Sequence, residues 1–236
     1  MCQVVEFPSS KKCQSLQPYP LRLAITAGAI VNGIPIICGG VYGYGSDSPV
    51  FSECYTHDRS SNTWKLLAKM HTERFAHTSV IHKNALWVTG GSHERRRALK
   101  STDFIFLNGT VKKGQDLPEG RWGHCMVDLR DGRFMIIGGV NKERGIEKTV
   151  LIYNSSNASF TYGPSSREVR YHHACTLFQS PKHNQRWVVL VVGGEEKREV
   201  ATSEVLDFTA PNAVWEECKY CQLYLVCEIG FSQMHH

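Results

Sequence analysis

Apolar residues in this chain of 236 residues fall in short blocks that stop at glycine pairs. Four blocks read IPIICGG, ALWVTGG, FMIIGG and WVVLVVGG, and they end at Gly39/Gly40, Gly90/Gly91, Gly138/Gly139 and Gly193/Gly194. The leading glycines are 51, 48 and 55 residues apart. Short runs that are apolar at nearly every position predict strands buried on both faces. Turn residues cut three further strands around each run, so every repeat predicts four. The first repeat predicts strands over 23–31, 34–38, 52–56 and 63–67, and the second over 78–82, 85–89, 102–106 and 109–113. The third predicts 125–128, 134–137, 149–153 and 159–162, and the fourth 174–178, 187–192, 204–208 and 214–218. The paired glycines predict positive φ and close backbone approach where the chain leaves a crowded centre.

A second pattern recurs in phase. Arg74/His77, Arg121/His124 and Arg170/His173 each form R-x-x-H, with the arginine 16, 17 and 23 residues before its glycine pair. In the first repeat Arg22 stands at that distance, and Ile25 fills the histidine slot. Aromatic residues then follow the glycines: Tyr55, Phe106, Tyr153 and Phe208, and after them Trp64, Phe160 and Trp215. Over roughly residues 20 to 217 the chain resembles the kelch-repeat family, whose period is about 50 residues. The resemblance implies an all-β fold: a kelch-type β-propeller of four-stranded antiparallel blades, about four of them, in units near 21–68, 69–115, 116–164 and 165–218. Residues 1–20 form an N-terminal extension on this reading, and 219–236 an atypical tail. Propellers carry about 4 to 8 blades, so the array is expected to be incomplete.

With 42% hydrophobic and 21% charged residues, the composition is that of an ordinary globular domain. The net charge of +5 comes without the aromatic-interleaved basic stripe that would indicate nucleic acid. No apolar run reaches the ~18 residues of a spanning helix. The first residues, MCQVVEFPSSKKC, lack the apolar core of a signal peptide.

Nine cysteines leave at least one outside any set of intramolecular bridges. Cys38 ends the second strand of the first repeat and Cys54 lies in its third. Antiparallel pairing of these strands predicts that the two face each other, either as a disulfide or as small core residues. A lone Cys218-x-x-Cys221 is too weak a pattern for zinc. Asn108, Asn154 and Asn157 each begin an N-x-S/T sequon, and all three fall near turns between third and fourth strands. Together with the cysteines they point to an extracellular setting if a signal peptide precedes this sequence, and otherwise the setting is cytoplasmic.

A histidine that recurs once per repeat reads as blade packing, with Arg and His reaching backbone carbonyls of a neighbour. A catalytic residue is normally unique. The better binding candidates are the loops that follow each glycine pair, because equivalent strand ends point the same way. They carry Tyr42 and Tyr44 in the first loop, Arg95, Arg96, Arg97 and Lys100 in the second, and Arg144 in the third. The expected function is a noncatalytic interaction module for a protein or peptide partner, with an acidic partner favoured by the basic loops. No metal or cofactor is expected. The alternative is an enzyme on the same scaffold, such as a copper oxidase or sugar mutarotase. For copper, Tyr42, Tyr44 and His93 lie in suitable loops, without a second loop histidine or a loop cysteine. Ubiquitin-ligase members of the family carry an adaptor-binding helical region before the propeller, which residues 1–20 are too short to hold.

Overall fold

The computed structural model describes residues 3–4, 14–43, 48–93, 97–141, 143–196 and 199–218. A short antiparallel pair, β1 (Gln3–Val4) and β2 (Gln14–Ser15), comes first. The first sheet follows as β3 (Ala27–Val31), β4 (Ile34–Cys38), β5 (Glu53–Asp58) and β6 (Thr63–Lys69). The second sheet begins with β7 (Thr78–His82) and β8 (Ala85–Thr89), then admits a small hairpin, β9 (Ser92–His93) and β10 (Arg97–Ala98). It closes with β11 (Thr102–Phe106) and β12 (Val111–Lys113). The third holds β13 (Cys125–Asp128) and β14 (Arg133–Ile137), the hairpin β15 (Val140–Asn141) and β16 (Gly145–Ile146), then β17 (Val150–Asn154) and β18 (Ser159–Tyr162). The fourth holds β19 (Ala174–Ser180), a 3-10 turn at Pro181–His183, β20 (Arg186–Val192), β21 (Ser203–Leu206) and β22 (Glu216–Glu217). In each four-stranded sheet the strands pair antiparallel in chain order, as the repeats predict. Among the described residues no helix is long and apolar enough to cross a membrane.

Contacts divide the chain into two compact bodies. One is Met1–Gly123 with Asn141–Gly145, and the other is His124–Val140 with Ile146–His236. The first has its core between sheets one and two, where Ile36, Cys38, Cys54, Leu86, Val88 and Ile105 are all sealed from solvent. The second packs Val127, Met135, Ile137, Val150, Val189, Val191 and Leu206 around Trp215. Each such side chain contributes about 1.5–3 kcal/mol through burial, which is why the second strands read as unbroken apolar runs. All five residues of β8 are buried. The β3–β4 connection is the two-residue turn Asn32–Gly33, with both residues at positive φ (48° and 79°). Turns of this hand match the twist of the strands they join.

The glycine pairs stand where the second strand ends. All eight have positive φ, between 57° and 110°. At Gly39 a Cβ would lie 2.5 Å from the Arg74 carbonyl oxygen and 2.8 Å from the His77 ring. The amide of the second glycine donates to that same carbonyl of the following repeat: Gly40 to Arg74, Gly91 to Arg121 and Gly139 to Arg170. The arginine side chain, however, turns back into its own sheet, which corrects the expectation that it reaches a neighbour. Arg74 Nη1 donates to the carbonyls of Gly90 and Ser101, and Arg170 Nη1 to those of Gly193 and Thr202.

The first repeat also needs a correction of register. Positive φ recurs two residues after the arginine at Ala76, Gly123 and His172, and in the first repeat at Ile25. A Cβ at Gly40 would meet Thr26 and Leu23, as one at Gly194 would meet His173 and Arg170. The arginine and histidine slots of repeat one are therefore Leu23 and Thr26, one residue beyond Arg22 and Ile25.

Cys38 and Cys54 are register partners across β4 and β5 and form a disulfide. A second disulfide joins Cys125 on β13 to Cys175 on β19, tying two neighbouring sheets of the second body. Its two cysteines are separated by 50 residues, one repeat period. That spacing was the one signal in the sequence for a bridge that the strand pattern does not otherwise reveal.

Candidate functional site

Each loop after a glycine pair is drawn into a small hairpin. In the first, Val41 bridges Val50 and the Tyr42 amide donates to the Pro49 carbonyl, leaving the Tyr42 side chain 54% exposed. In the second, β9 and β10 pair through Ser92↔Ala98 and His93↔Arg97, and Leu99 returns to the Gly91 carbonyl. In the fourth, Glu195 bridges Glu199, and the Tyr171 hydroxyl donates to the Glu195 carboxylate at 2.8 Å. The hairpin bases also bridge back to the residue after the arginine slot, through Ala24↔Val41, Phe75↔Ser92 and Tyr171↔Glu195. The backbone pairing of the sheets therefore continues into the loops.

In the first body these loops form a cleft of about 410 Å³, lined by Arg97, Ala98, Lys100, Glu119, Gly120, Asn141 and Glu143. Two observations explain its shape. Gly120 lies so close to the second hairpin that a Cβ would stand 2.7 Å from the Ala98 carbonyl oxygen. Asn141 is buried, donates from Nδ2 to the Gly120 carbonyl at 3.1 Å, and accepts the Glu143 amide on Oδ1 at 2.8 Å. One side chain thus fixes both the wall and the turn that carries Glu143 and Arg144.

The charges in the cleft are unequal. Arg144 Nη1 stands 2.8 Å from Glu119 Oε1, so its charge is largely compensated. Arg97 and Lys100 are exposed and have no carboxylate within ion-pair distance among the described residues. The cleft therefore offers these two cations, the exposed Glu143 carboxylate and an Arg–Glu pair. Of the residues singled out from sequence, Arg97 lines the cleft, Arg144 joins it through Glu119, and Tyr42 stands outside its lining. Tyr44, Arg95 and Arg96 lie outside the described residues. Glu119, Gly120 and Asn141 were not foreseen, although Glu119 and Gly120 immediately precede Arg121 of the second R-x-x-H.

The histidines of the repeat motif sit in packed interiors. Burial, reinforced by the Arg74 charge and only partly offset by the Cys38 backbone, lowers His77 to a pKa of about 3. His173 is lowered to about 3 by burial and the Arg170 charge, with the Ile137 backbone opposing. Both imidazoles are neutral packing groups at ordinary pH. His172 has a φ of 53° and faces Glu195 at 3.7 Å. Its pKa is lowered by burial against the pull of that carboxylate. His93 faces Glu73 at 3.4 Å. Among the described residues no group of three or more His, Cys, Asp or Glu side chains is placed to hold a metal ion.

No protein-family model matches the chain. Similar proteins do exist. Putative protein tag-53 of Caenorhabditis elegans is 26% identical over 228 residues, covering 87% of this chain and 17% of that protein. Kelch-like protein 38 of Rattus norvegicus is 22% identical over 189 residues, covering 80% and 31%, and the Homo sapiens protein is 24% identical over 148 residues, covering 62% and 25%. The solved structure of YjhT superimposes with a TM-score of 0.64 at 13% identity, over 84% of this chain and 86% of that one. These relatives and the solved neighbour support the kelch-repeat resemblance of the sequence. The kelch-type propeller fold is shared with that solved neighbour, and the chain spans less than a third of the length of the curated relatives it matches.

Proposed function

We propose that this kelch-repeat chain is a noncatalytic interaction module, and that its loop cleft binds an acidic segment of a protein or peptide partner. The observation that carries this reading is the pair Arg97 and Lys100, exposed in a cleft that also holds Glu143 and in which Arg144 is already matched by Glu119. Two uncompensated cations on a hairpin held by its own backbone pairing favour carboxylate-rich chains without a large ordering cost. A noncatalytic role is further supported by the buried, repeated positions of His77 and His173, the residues that would otherwise suggest acid–base chemistry.

The test uses synthetic acidic peptides and charge-reversed controls, titrated against the chain and against Arg97→Ala/Lys100→Ala. Tighter binding of the acidic set, weakened about tenfold (about 1.4 kcal/mol) in the double variant, is the expected result. Equal affinity for both peptide sets rejects the acidic partner. Turnover of an alcohol or sugar substrate that is lost in the same variant rejects the noncatalytic role.

A further inference from the structure

Three sequons lie on two turns of the same kind. Asn108 sits between β11 and β12, and Asn154 and Asn157 between β17 and β18. In sheet two the pair Thr102↔Thr89 lies at the glycine end and Phe106↔Ala85 at the other, so the Asn108 turn is at the end away from Gly90. In sheet three Val150↔Ile137 and Asn154↔Arg133 place the second turn away from Gly138 in the same way. Both turns adjoin strands that form a sheet edge, β12 and β18.

All three asparagines accept from the residue two places on, Asn154 Oδ1 taking the Ser156 amide and hydroxyl at 3.0 and 2.7 Å, and it is burial and strand position that separate them. Asn108 and Asn157 are exposed. Asn108 Oδ1 accepts the Thr110 amide, and Asn157 Oδ1 accepts both the amide and the hydroxyl of Ser159 at 3.3 and 2.8 Å. Nδ2 of each, the atom that would carry a glycan, has no hydrogen bond among the described residues. Asn154 is half-buried and is the last residue of β17, paired to Arg133 on one side and Ser159 on the other. Its side chain is less open than the other two, and its backbone is held by pairing on both sides, where those of Asn108 and Asn157 lie in turns.

The disulfides are an independent observation with the same meaning. Cys38–Cys54 and Cys125–Cys175 persist only where thiols are not held reduced. We infer that Asn108 and Asn157 are N-glycosylated, that Asn154 is not, and that the chain matures in an oxidising secretory compartment. In the modification, Asn Nδ2 loses a proton and forms a bond to the anomeric carbon of a lipid-linked oligosaccharide, while that carbon's bond to the lipid diphosphate breaks. Each bridge forms as two thiols pass two electrons and two protons to a disulfide-donating oxidoreductase. The glycans would cover the exposed ends of β12 and β18, edges that could otherwise pair with another chain, and would leave the loop ends open.

The experiment takes the protein from the cells that make it, under thiol-alkylating conditions, and treats it with an amidase that leaves aspartate at each formerly glycosylated asparagine. Peptide mass mapping should show aspartate at 108 and 157, asparagine at 154, and no alkylated thiol at Cys38, Cys54, Cys125 or Cys175. Asparagine at both 108 and 157, or a glycan on 154 with 157 bare, overturns the site assignment. Alkylated cysteines at the four bridge positions overturn the compartment. In cells, Asn157→Gln and Ser159→Ala should each remove one of two glycan steps in gel mobility. Ser156→Ala, which destroys the Asn154 sequon alone, should remove none.

Discussion

The Arg170 guanidinium and the Glu204 carboxylate meet at 2.5 Å, with 0% and 1% of their side chains exposed. The same relationship joins Arg74 to Asp103 at 3.1 Å. Each arginine also holds the carbonyl of the first glycine of its pair, so one side chain closes the end of the second strand against the third. Glu204 in turn accepts the amides of Arg167 and Glu168, fixing the segment that leads into its repeat. Removing one partner strands the other charge in a dry interior. Arg170→Met should therefore lower unfolding free energy by about 3–5 kcal/mol, as for other broken buried pairs. Arg170→Met/Glu204→Gln should recover part of that loss, because no bare charge is left buried. Denaturant titration of the two variants decides, and equal stability of Arg170→Met and wild type rejects the clamp.

The two depressed histidines predict an acid limb. Their folded pKa values of about 3 lie below the ordinary value of 6.5, so the neutral form is the one the fold stabilises. Between pH 6.5 and 3 the unfolded chain binds more protons than the folded one, and stability must fall as the pH drops. It is fully present above 6.5. Each histidine contributes a slope of about 1.4 kcal/mol per pH unit within that window. Unfolding midpoints measured from pH 7.5 to 4.5 should show this slope, and His77→Asn/His173→Asn should flatten it. A slope unchanged by the double replacement assigns the acid limb to other groups.

Gly39→Ala tests a close approach between two backbones at positive φ. Its φ of 61° penalises any side chain, and the new methyl would lie 2.5 Å from a backbone oxygen that cannot rotate away. The expected loss is about 1–3 kcal/mol for a strained position. Gly33→Ala, at a φ of 79° in open space, meets the backbone cost without the clash. The first variant should be the less stable of the two by thermal melting. The reverse order removes the close-approach argument and leaves φ alone.

What could be read in advance follows from how local each feature is. The four sheets were legible because each is set by an apolar run, a glycine pair and a phased aromatic, all within one repeat. Cys38 and Cys54 were legible as facing residues, since antiparallel pairing in one sheet fixes their register. Cys125 and Cys175 belong to different sheets, and no local pattern fixes how two sheets meet. Leu23 was missed for a related reason. Spacing alone placed Arg22 in the slot, whereas backbone conformation at Ile25 shifts the repeat by one, and a one-residue slip reverses which side chains face inward. At the cleft, the basic residues of the loops were visible, but their pairing was not. Glu119 lies 25 residues before Arg144 in sequence, and the Asn141 side chain is what brings the third hairpin against Gly120.

The Cys38–Cys54 bridge closes a short loop that carries Tyr42 and the first hairpin. A loop of this size stabilises by about 3 kcal/mol in the chain-entropy account. Cys38→Ala/Cys54→Ala should lose roughly that much, and the loss should vanish when wild type is measured with reductant. A loss that persists against reduced wild type assigns the effect to packing of the two side chains in the first core.

The last prediction separates steering from fold. Arg97 and Lys100 lie on an exposed hairpin and pack no core, so Arg97→Ala/Lys100→Ala should change stability by less than about 0.5 kcal/mol. Association with an acidic peptide should slow about tenfold at low ionic strength, with the dissociation rate nearly unchanged, because open charges act mainly on encounter. Raising salt should shrink the difference between variant and wild type, since screening removes the same interaction from both. Arg144→Ala should behave differently. It leaves Glu119 facing the buried Arg121 at 3.8 Å and lowers the cleft's net charge by one, so it should weaken an acidic peptide although Arg144 itself is paired. Restoring the wild-type net charge with Arg144→Ala/Glu119→Gln should bring affinity back toward wild type. If all three variants bind the peptide as wild type does, the cleft is not the recognition surface, and the exposed first loop around Tyr42 becomes the place to search.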